Sequence, residues 1–300
     1  MDTTTWRFLC SCAGGAEPQP LFYAAEAIAL INGGIPNSLF GVLYKGNWYS
    51  YKTAPEWTAV AMAAALYPGD TTWVVIAISS TGHIWELRPK QVLESLGRIP
   101  NRVALTNLAS IRKSIYVCGM GRVLLRREAN GSWTDLSAPR PAASEGVIGF
   151  TQIAGTEDSP IYAAGWAGEI WSLTGERWQR EDSPSNSNFN SVAVTSSGLA
   201  YIVGDGGVMV RGRHGSWEVV DTGIDMNLQD VCFFGGEIFV STDFYVYRLT
   251  DAGLKPDLVE ESADRATTCL KLIPARPDVL YSVGPQDIFE RRAGTWRRLA

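Results

Sequence analysis

Short apolar stretches alternate with Gly-, Ser- and Asp-rich turns along the chain, in the pattern typical of antiparallel strands. The clearest unit is FNSVAVTSSGLAYIVGDGGVMVRGRHGSWEVVDT, at residues 189–222. Strands are predicted at 191–194, 199–203, 208–211 and 217–220, which we name A to D in order. Each is β-branched or aromatic in character, and the gaps Ser-Ser-Gly, Gly-Asp-Gly-Gly and His-Gly-Ser carry turn chemistry.

The unit recurs over the whole chain. The seven copies are predicted at approximately 5–53, 57–97, 102–137, 147–182, 189–222, 228–260 and 267–299. Their D-strand anchors are Trp48, Leu93, Trp133, Trp178, Trp217, Leu258 and Trp296, at steps of 45, 40, 45, 39, 41 and 38 residues. Four-stranded propeller blades repeat at about 40–50 residues. The sequence therefore predicts one all-β domain over residues 1–300, a seven-bladed β-propeller of four-stranded antiparallel blades.

The phase of the repeat predicts how the ring closes. The last copy ends on its own D strand and the first begins on its own A strand, so no strand is spare to complete a neighbour. Since sheets this thin must pack against both neighbours, we expect blade seven to pack on blade one without strand exchange. This depends on the register of the first copy, which carries an insertion at 27–38 between B and C. In the sixth copy, the C strand is predicted at 244–249. We expect the D-strand tryptophans to pack between blades.

Composition and charge favour a globular protein without an overall attraction to polyanions, although a local basic patch is compatible with them. The chain is 46% hydrophobic and 19% charged, with a net charge of -5. A mildly acidic chain has no overall attraction to nucleic acid or anionic membrane, so neither is expected as a partner. No signal peptide or membrane-spanning run is recognised. Five cysteines without a CxxC pair favour buried free thiols in a reducing compartment, so a cytoplasmic location is expected.

Catalytic signals are sparse. Only His83 and His214 are present, which argues against a histidine-based triad or a multi-histidine metal site. No phosphate loop, dinucleotide fingerprint, GxSxG elbow or calcium loop occurs. We therefore predict no catalytic residues, no metal site and no cofactor.

In a propeller, the D–A loops and B–C turns lie on one face, which we call the loop face. Its candidate partner-binding residues, together with the 27–38 insertion, are Trp166, Glu169, Asp205, Asp243, Asp287 and His83. An aromatic side chain beside acids is a suitable anchor set for a protein partner. The alternative is that these are ordinary turn residues.

The A–B and C–D turns lie on the opposite face, which we call the hairpin face. Its basic candidates are Arg126, Arg127, Arg177, Arg211, Arg213, Arg291 and Arg292. So many arginines favour an interface or an anionic ligand. A solvated rim is the alternative.

Two glycine motifs carry a resemblance to known propellers. The B–C junction reads G-x-x-G-x-φ, where φ is apolar, and residues 204–208 and 165–169 show its glycines. The C–D hairpin ends in G-x-W at 131–133, 215–217 and 294–296. Nearly the whole chain resembles the bacterial-neuraminidase-type repeats of sialidase-like propellers and photosystem assembly-factor propellers. The resemblance implies a fold, because the sialidase Asp-box S-x-D-x-G-x-x-W is degraded and no copy has its Ser and Asp in place.

Three functional hypotheses follow. The first is a non-catalytic bacterial protein-binding propeller, monomeric on its own, and within that class an immunity or antitoxin-like protein that caps a toxin or secreted effector. The second is a sialidase-like carbohydrate-active enzyme or lectin. Arg98-Ile99-Pro100 matches a triplet of such enzymes but stands between copies two and three. The third is an assembly factor for a larger complex.

Overall fold

The computed structural model describes residues 4–15, 19–51, 56–66, 73–88, 91–100, 103–257 and 268–300. It contains seven antiparallel sheets, each built from four strands that are consecutive in the chain. The prediction of an all-β seven-bladed propeller is confirmed. None of the helices in these ranges is long and apolar enough to cross a bilayer.

The first four blades follow one another from the N-terminus. Blade one consists of β1 (Trp6–Ala13), β2 (Leu21–Ala27), β3 (Leu39–Tyr44) and β4 (Asn47–Ser50). Blade two consists of β5 (Ala59–Ala65), β6 (Val74–Ser79), β7 (His83–Arg88) and β8 (Gln91–Arg98). Blade three consists of β9 (Leu105–Ile111), β10 (Ser114–Gly119), β11 (Val123–Arg127) and β12 (Trp133–Asp135). Blade four consists of β13 (Phe150–Ala154), β14 (Ile161–Gly165), β15 (Ile170–Thr174) and β16 (Arg177–Arg180).

The remaining three blades complete the ring. Blade five consists of β17 (Phe189–Val194), β18 (Ala200–Gly204), β19 (Met209–Arg213) and β20 (Ser216–Val220). Blade six consists of β21 (Asp230–Phe234), β22 (Glu237–Ser241), β23 (Val246–Thr250) and β24 (Gly253–Pro256). Blade seven consists of β25 (Lys271–Arg276), β26 (Val279–Val283), β27 (Ile288–Arg292) and β28 (Thr295–Arg298).

Short helices occur only outside the strands of the described chain. The insertion of blade one holds α1 (Ile28–Asn32), which the strand pattern did not predict. Three one-turn 3-10 helices lie at Ala143–Glu145, Trp166–Gly168 and Asp205–Gly207. All four helices lie on the loop face.

The hydrophobic core is divided among the seven seams between blades. Each of seven apolar clusters combines buried side chains of two neighbouring blades. The second strands β6, β14, β18 and β26 are buried at every position. Adjacent blades cover both faces of these strands. This explains their continuous apolar runs, because a strand covered on both faces has no solvent-facing side to alternate with.

Ring closure occurs as predicted. The register of blade one is confirmed by the pairing of Trp6 with Ala27 at the end of the first hairpin. The backbone N–H of Phe8 donates to Pro285 O at 2.9 Å, across the seam between blades one and seven. Every sheet keeps its own four strands. The predicted blade ends at 52–53, 102, 258–260 and 267, and the Leu258 anchor, lie outside the described residues.

Tryptophan indoles of the outermost strands donate hydrogen bonds across the seams between neighbouring blades. The Nε1 of Trp178 donates to Leu136 O at 2.6 Å, and that of Trp217 donates to the Glu181 carboxylate at 3.2 Å. The Trp296 Nε1 donates to the Asp257 carboxylate at 3.0 Å. Each bond reaches the preceding blade, so the expected packing of D-strand tryptophans between blades is confirmed for these three.

Glycines allow the loop-face turns to approach the next connection closely. Gly168 and Gly207 have φ values of +73° and +74°, and an added Cβ would lie 2.0 Å from Ser185 O and 1.9 Å from Ile224 O respectively. Only glycine fits both the left-handed backbone and this contact. The second Gly of the G-x-x-G motif therefore packs each B–C turn on the following D–A loop.

Candidate functional site: the loop face

Exposed apolar side chains are concentrated on the loop face. Among the described residues, eight large hydrophobic side chains are exposed, and two of them, Tyr49 and Val219, lie on D strands at the outer rim. The other six lie in B–C turns or a D–A loop: Leu30, Ile35, Val147, Trp166, Phe244 and Tyr245. These side chains are distributed over blades one, four and six and one connection, and they are candidate contacts for a partner on this face.

Trp166 is held outward by a rigid turn. Its backbone N–H donates to Gly149 O at 3.2 Å, and the N–H of Ala167 donates to the Asn188 side chain at 3.1 Å. Ala167 adopts the left-handed conformation, and the indole remains 41% exposed. A large aromatic ring fixed in this way loses little conformational entropy on binding.

Phe244 and Tyr245 project from the equivalent turn of blade six. The Thr242 hydroxyl accepts the N–H of Tyr245 at 3.1 Å, and the N–H of Cys269 donates to Asp243 O at 2.9 Å. The prediction of a C strand from residue 244 is wrong at its start, because β23 begins at Val246. The two aromatic residues thus belong to the turn, with Phe244 57% exposed.

The acidic candidates divide into surface and buried groups. Asp243 is exposed, and Asp205 is half-buried with its carboxylate held by Asn190 at 3.0 Å. Glu169 and Asp287 are 3% and 0% exposed, each in an ion pair with an arginine. Burial removes Glu169 and Asp287 from the surface that a partner could contact.

Arg122 is the ion-pair partner of Glu169. The sequence pattern did not single out this arginine. The guanidinium is buried in the B–C turn of blade three, with its Nε 3.0 Å from one Glu169 oxygen and its terminal nitrogen 2.5 Å from Glu145. It also lies 5.0 Å over the ring of Trp171. Burial opposes the charge, but the hydrogen bonds to both carboxylates outweigh it and raise the pKa of Arg122. This cluster joins blades three and four beneath the loop face.

His83 is half-buried beside the B–C turn of blade two. Its Nε2 lies 2.8 Å from a terminal nitrogen of Arg98, which can only donate, so Nε2 carries the lone pair. Its Nδ1 lies 3.1 Å from the Ser79 and Thr81 hydroxyls, and its ring stacks on Trp57. Burial and the positive charge of Arg98 lower the pKa of His83. The imidazole of His83 therefore makes these contacts in its neutral form, as part of the turn.

The basic candidates of the hairpin face are distributed over several blades. Arg126 pairs with Glu128 at 3.0 Å, Arg211 with Glu218 at 2.5 Å, and Arg291 with Asp257 at 2.6 Å. Arg127 is buried and pairs with Glu86 of blade two at 2.9 Å. Arg177 and Arg213 are exposed. Arg292 pairs with Asp278 at 3.2 Å and with Glu290 at 3.3 Å. The structure thus assigns most of these arginines to separate carboxylates rather than to one patch.

The central channel holds a cavity of about 240 Å³ between the innermost strands. Its one charged pair joins the ammonium of Lys271 and the carboxylate of Asp230 at 3.5 Å. Asp230 also accepts the Ser191 hydroxyl at 2.5 Å and the Leu272 N–H at 2.9 Å. It is the only carboxylate among the described residues that line this cavity. Within the described ranges, no group of three His, Cys, Asp or Glu side chains could hold a metal ion.

All five cysteines are free and buried, as predicted. Burial raises the pKa of each thiol, to about 12 for Cys118 and about 11 for Cys269. A thiol that resists ionisation is a poor nucleophile. The cysteines therefore act as small apolar side chains of the core.

Comparison with solved structures confirms the predicted resemblance at the level of the fold. Virginiamycin B lyase from Staphylococcus aureus superimposes with a TM-score of 0.72 at 10% identity, over 97% of this chain and 95% of that one. The structure described as YCF48 bound to D1 peptide gives a TM-score of 0.70 at 9% identity, over 96% and 93% of the two chains. Identities this low relate the folds alone.

Comparison of sequences identifies a relative. No family model matches the chain. The immune protein Tsi7 of Pseudomonas aeruginosa is 34% identical over 218 residues, which cover 71% of this chain and 70% of the relative. This confirms the hypothesis of an immunity protein. With this identity over more than two thirds of both sequences, the chain belongs to the family of the immune protein Tsi7.

Proposed function

We propose that this immunity protein neutralises a toxin by binding it through the loop face as a monomer, without catalysing a reaction. The observation that carries the proposal is the location of six of the eight exposed large apolar side chains on that face. Burial of aromatic anchors supplies most of the binding energy in protein interfaces. The hairpin face offers fewer such anchors.

One sector of the loop face, around blades five and six, carries both acidic and exposed apolar side chains. These side chains indicate which groups the toxin surface should present. Exposed Asp243 precedes Phe244 and Tyr245 in the B–C turn of blade six, exposed Asp225 lies in the D–A loop before that blade, and half-buried Asp205 lies in the B–C turn of blade five. Carboxylates around apolar anchors complement a surface with basic groups around an apolar centre. We infer that the toxin presents such a surface to this sector.

The central channel supports a non-catalytic role. Most glycoside hydrolases use two carboxyl groups about 5–10 Å apart. Asp230 is the only carboxylate that the described residues contribute to the channel cavity, and it is engaged by three donors. The five free thiols fit a reducing compartment, so we place the encounter with the toxin in the cytoplasm.

The test uses the toxin that co-purifies with this protein from its native host. Trp166→Ala and Phe244→Ala should each weaken toxin binding by about 2 kcal/mol, roughly thirtyfold, as expected for aromatic anchors. Isothermal titration calorimetry measures the affinity, and growth of cells that produce the toxin measures protection. Tyr49→Ala is the matched control, because Tyr49 is 52% exposed but lies at the rim.

Two results would overturn the proposal. One is full affinity and full protection in a Trp166→Ala/Phe244→Ala double variant that remains folded. The other is a loss in the Tyr49→Ala control equal to that in the loop-face variants.

A further inference from the structure

A second cavity lies on the hairpin face, at the seam where blade seven meets blade one. Its volume is about 720 Å³, in the range of small-molecule sites. It opens between the A–B and C–D turns of blade seven and the C–D turn of blade one, on the hairpin face. We call it the seam cleft. The lining of the cleft includes Lys45, Trp48, Arg276, Tyr281, Arg292 and Arg297.

Three arginines of blade seven share two carboxylates at this cleft. Asp278 accepts from Arg276 at 3.3 Å and from Arg292 at 3.2 Å. Glu290 accepts from Arg292 at 3.3 Å and from Arg297 at 3.1 Å. Each of these two carboxylates is therefore shared by two guanidinium groups.

Lys45 adds a fourth cation from blade one. Its ammonium lies 5.2 Å over the ring of Tyr44, and no carboxylate partner is found for it among the described residues. It stands in the C–D turn that lines the cleft opposite blade seven. Even without Arg276, the three cations Lys45, Arg292 and Arg297 face the two carboxylates of Asp278 and Glu290, in a molecule whose net charge is -5. Arg298, which also lines the cleft, is paired with Asp287. The cleft is a local site of positive potential on an acidic protein.

The inner part of the cleft is apolar and aromatic. Trp48, Tyr281, Leu43, Val279 and Leu299 contribute to its lining. The indole of Trp48 is half-buried and stacks on Phe8 with ring centroids 6.0 Å apart. A ligand that fills the cleft would contact both this wall and the basic rim.

We propose that the seam cleft binds an organic anion that carries phosphate groups and an apolar or aromatic part, of the size of a nucleotide. Carboxylates of the protein already accept hydrogen bonds from each of these guanidinium groups, so a ligand carboxylate would bind them no more strongly than the protein's own carboxylates do. A phosphate group carries more charge and more acceptor oxygens, and guanidinium groups bind it in a bidentate manner. The aromatic wall provides the surface for the remainder of the ligand.

This site is independent of the loop face. The cleft lies on the hairpin face, and its residues take no part in the proposed toxin surface. Failure of phosphate binding would leave the proposed toxin binding intact, and the reverse is also true.

The experiment is titration of the full-length protein with ATP and with sodium triphosphate, without divalent cations, by isothermal titration calorimetry. Saturable one-site binding of ATP is expected, at least tenfold tighter than that of triphosphate, because only ATP reaches the apolar wall. Arg297→Ala should weaken ATP binding at least tenfold, since it removes a charge-assisted contact. Arg297 is exposed, so the variant should fold.

Two further variants separate the cleft from general charge effects. Lys45→Asn removes the fourth cation at a turn position with φ 51°, which asparagine tolerates, and should weaken ATP binding severalfold. Arg211→Ala, which removes an ion-paired arginine of blade five, should leave the ATP affinity unchanged. Absence of saturable ATP binding, equal affinity for triphosphate, or equal weakening in Arg211→Ala would overturn the proposal.

Discussion

The two faces of the disc use charged and apolar residues in opposite ways. On the loop face, Trp166 and Phe244 are exposed while Arg122 and Glu169 are buried as a pair. On the hairpin face, arginines stand at strand ends, half-buried or exposed except for Arg127, and most of them are paired with carboxylates of their own or the preceding blade. The number of charged residues on a face is therefore a poor guide to whether that face binds a partner. What matters is which charges already have partners and which apolar side chains have none.

Local backbone structure produces this difference. The loop-face turns pack on the next blade through glycines, so long side chains there either enter the seam, as Arg122 does, or point to solvent, as Trp166 does. The C–D hairpins stand at the outer edge, where arginines extend along their own sheets. Arg211 and its acceptor Glu218, for example, are direct cross-strand neighbours.

The largest effect is expected from the buried pair of the loop face. Arg122→Ala should lower the free energy of unfolding by about 3–5 kcal/mol, because it leaves the buried Glu169 carboxylate with only the exposed Arg180, at 4.0 Å, as a cation. Arg211→Ala should cost less than about 1 kcal/mol, because its pair with Glu218 is exposed. Urea denaturation followed by circular dichroism measures both values. Equal losses in the two variants would contradict the contrast between the faces.

An intermediate effect is expected at the C–D hairpin of blade five. Burial opposes the charge of Glu181, but donors from Ser172, the Gly215 N–H and Trp217 outweigh it and hold the pKa below its usual value of 4.5. The unfolded chain therefore binds the proton more readily, so this contribution is present above pH 4.5 and is lost as the pH falls through the folded-state pKa. Glu181→Gln should cost about 1–3 kcal/mol at pH 7 through lost charged hydrogen bonds.

The control for that variant is the slope of stability with pH. Urea midpoints between pH 7 and pH 3 should fall less steeply in Glu181→Gln than in the wild type. Parallel slopes would show that Glu181 is not the group that titrates.

The smallest effect is expected at His83 on the loop face. Its pKa, measured by NMR titration of the ring protons, should lie below 6.5, because burial and Arg98 both disfavour the charged form. A lowered histidine pKa means that the native state loses stability as the pH falls below about 6.5. Arg98→Ala should raise the pKa part of the way, since the burial remains. An unchanged pKa in this variant would remove Arg98 as a cause.

The fold could be predicted from the sequence because the repeat encodes it locally. Glycine turns and the D-strand tryptophans recur at steps of 38 to 45 residues, and each copy supplies four strands. Even the irregular first blade was placed in register, since its strands keep the same order around the insertion. The helix at Ile28–Asn32 was missed, because five residues are too few for a helical period to be recognised.

The candidate site was predicted less completely, because burial depends on partners that are distant in sequence. Glu169 and Asp287 occupy turn positions like those of the exposed Asp243, but Arg122 and Arg298 cover their charges. Phe244 was assigned to a strand, since an aromatic pair before Val246 continues an apolar run. Only the three-dimensional arrangement distinguishes these cases.

The most direct test of the central claim is hydrogen exchange of the protein with and without its toxin, read by mass spectrometry. Slower exchange is predicted in the loop-face turns around Trp166 and around Phe244 when the toxin is bound. Exchange in the C–D hairpins around Gly175 and Gly215 should remain unchanged. Protection of those hairpins, with the loop-face turns unaffected, would contradict the account.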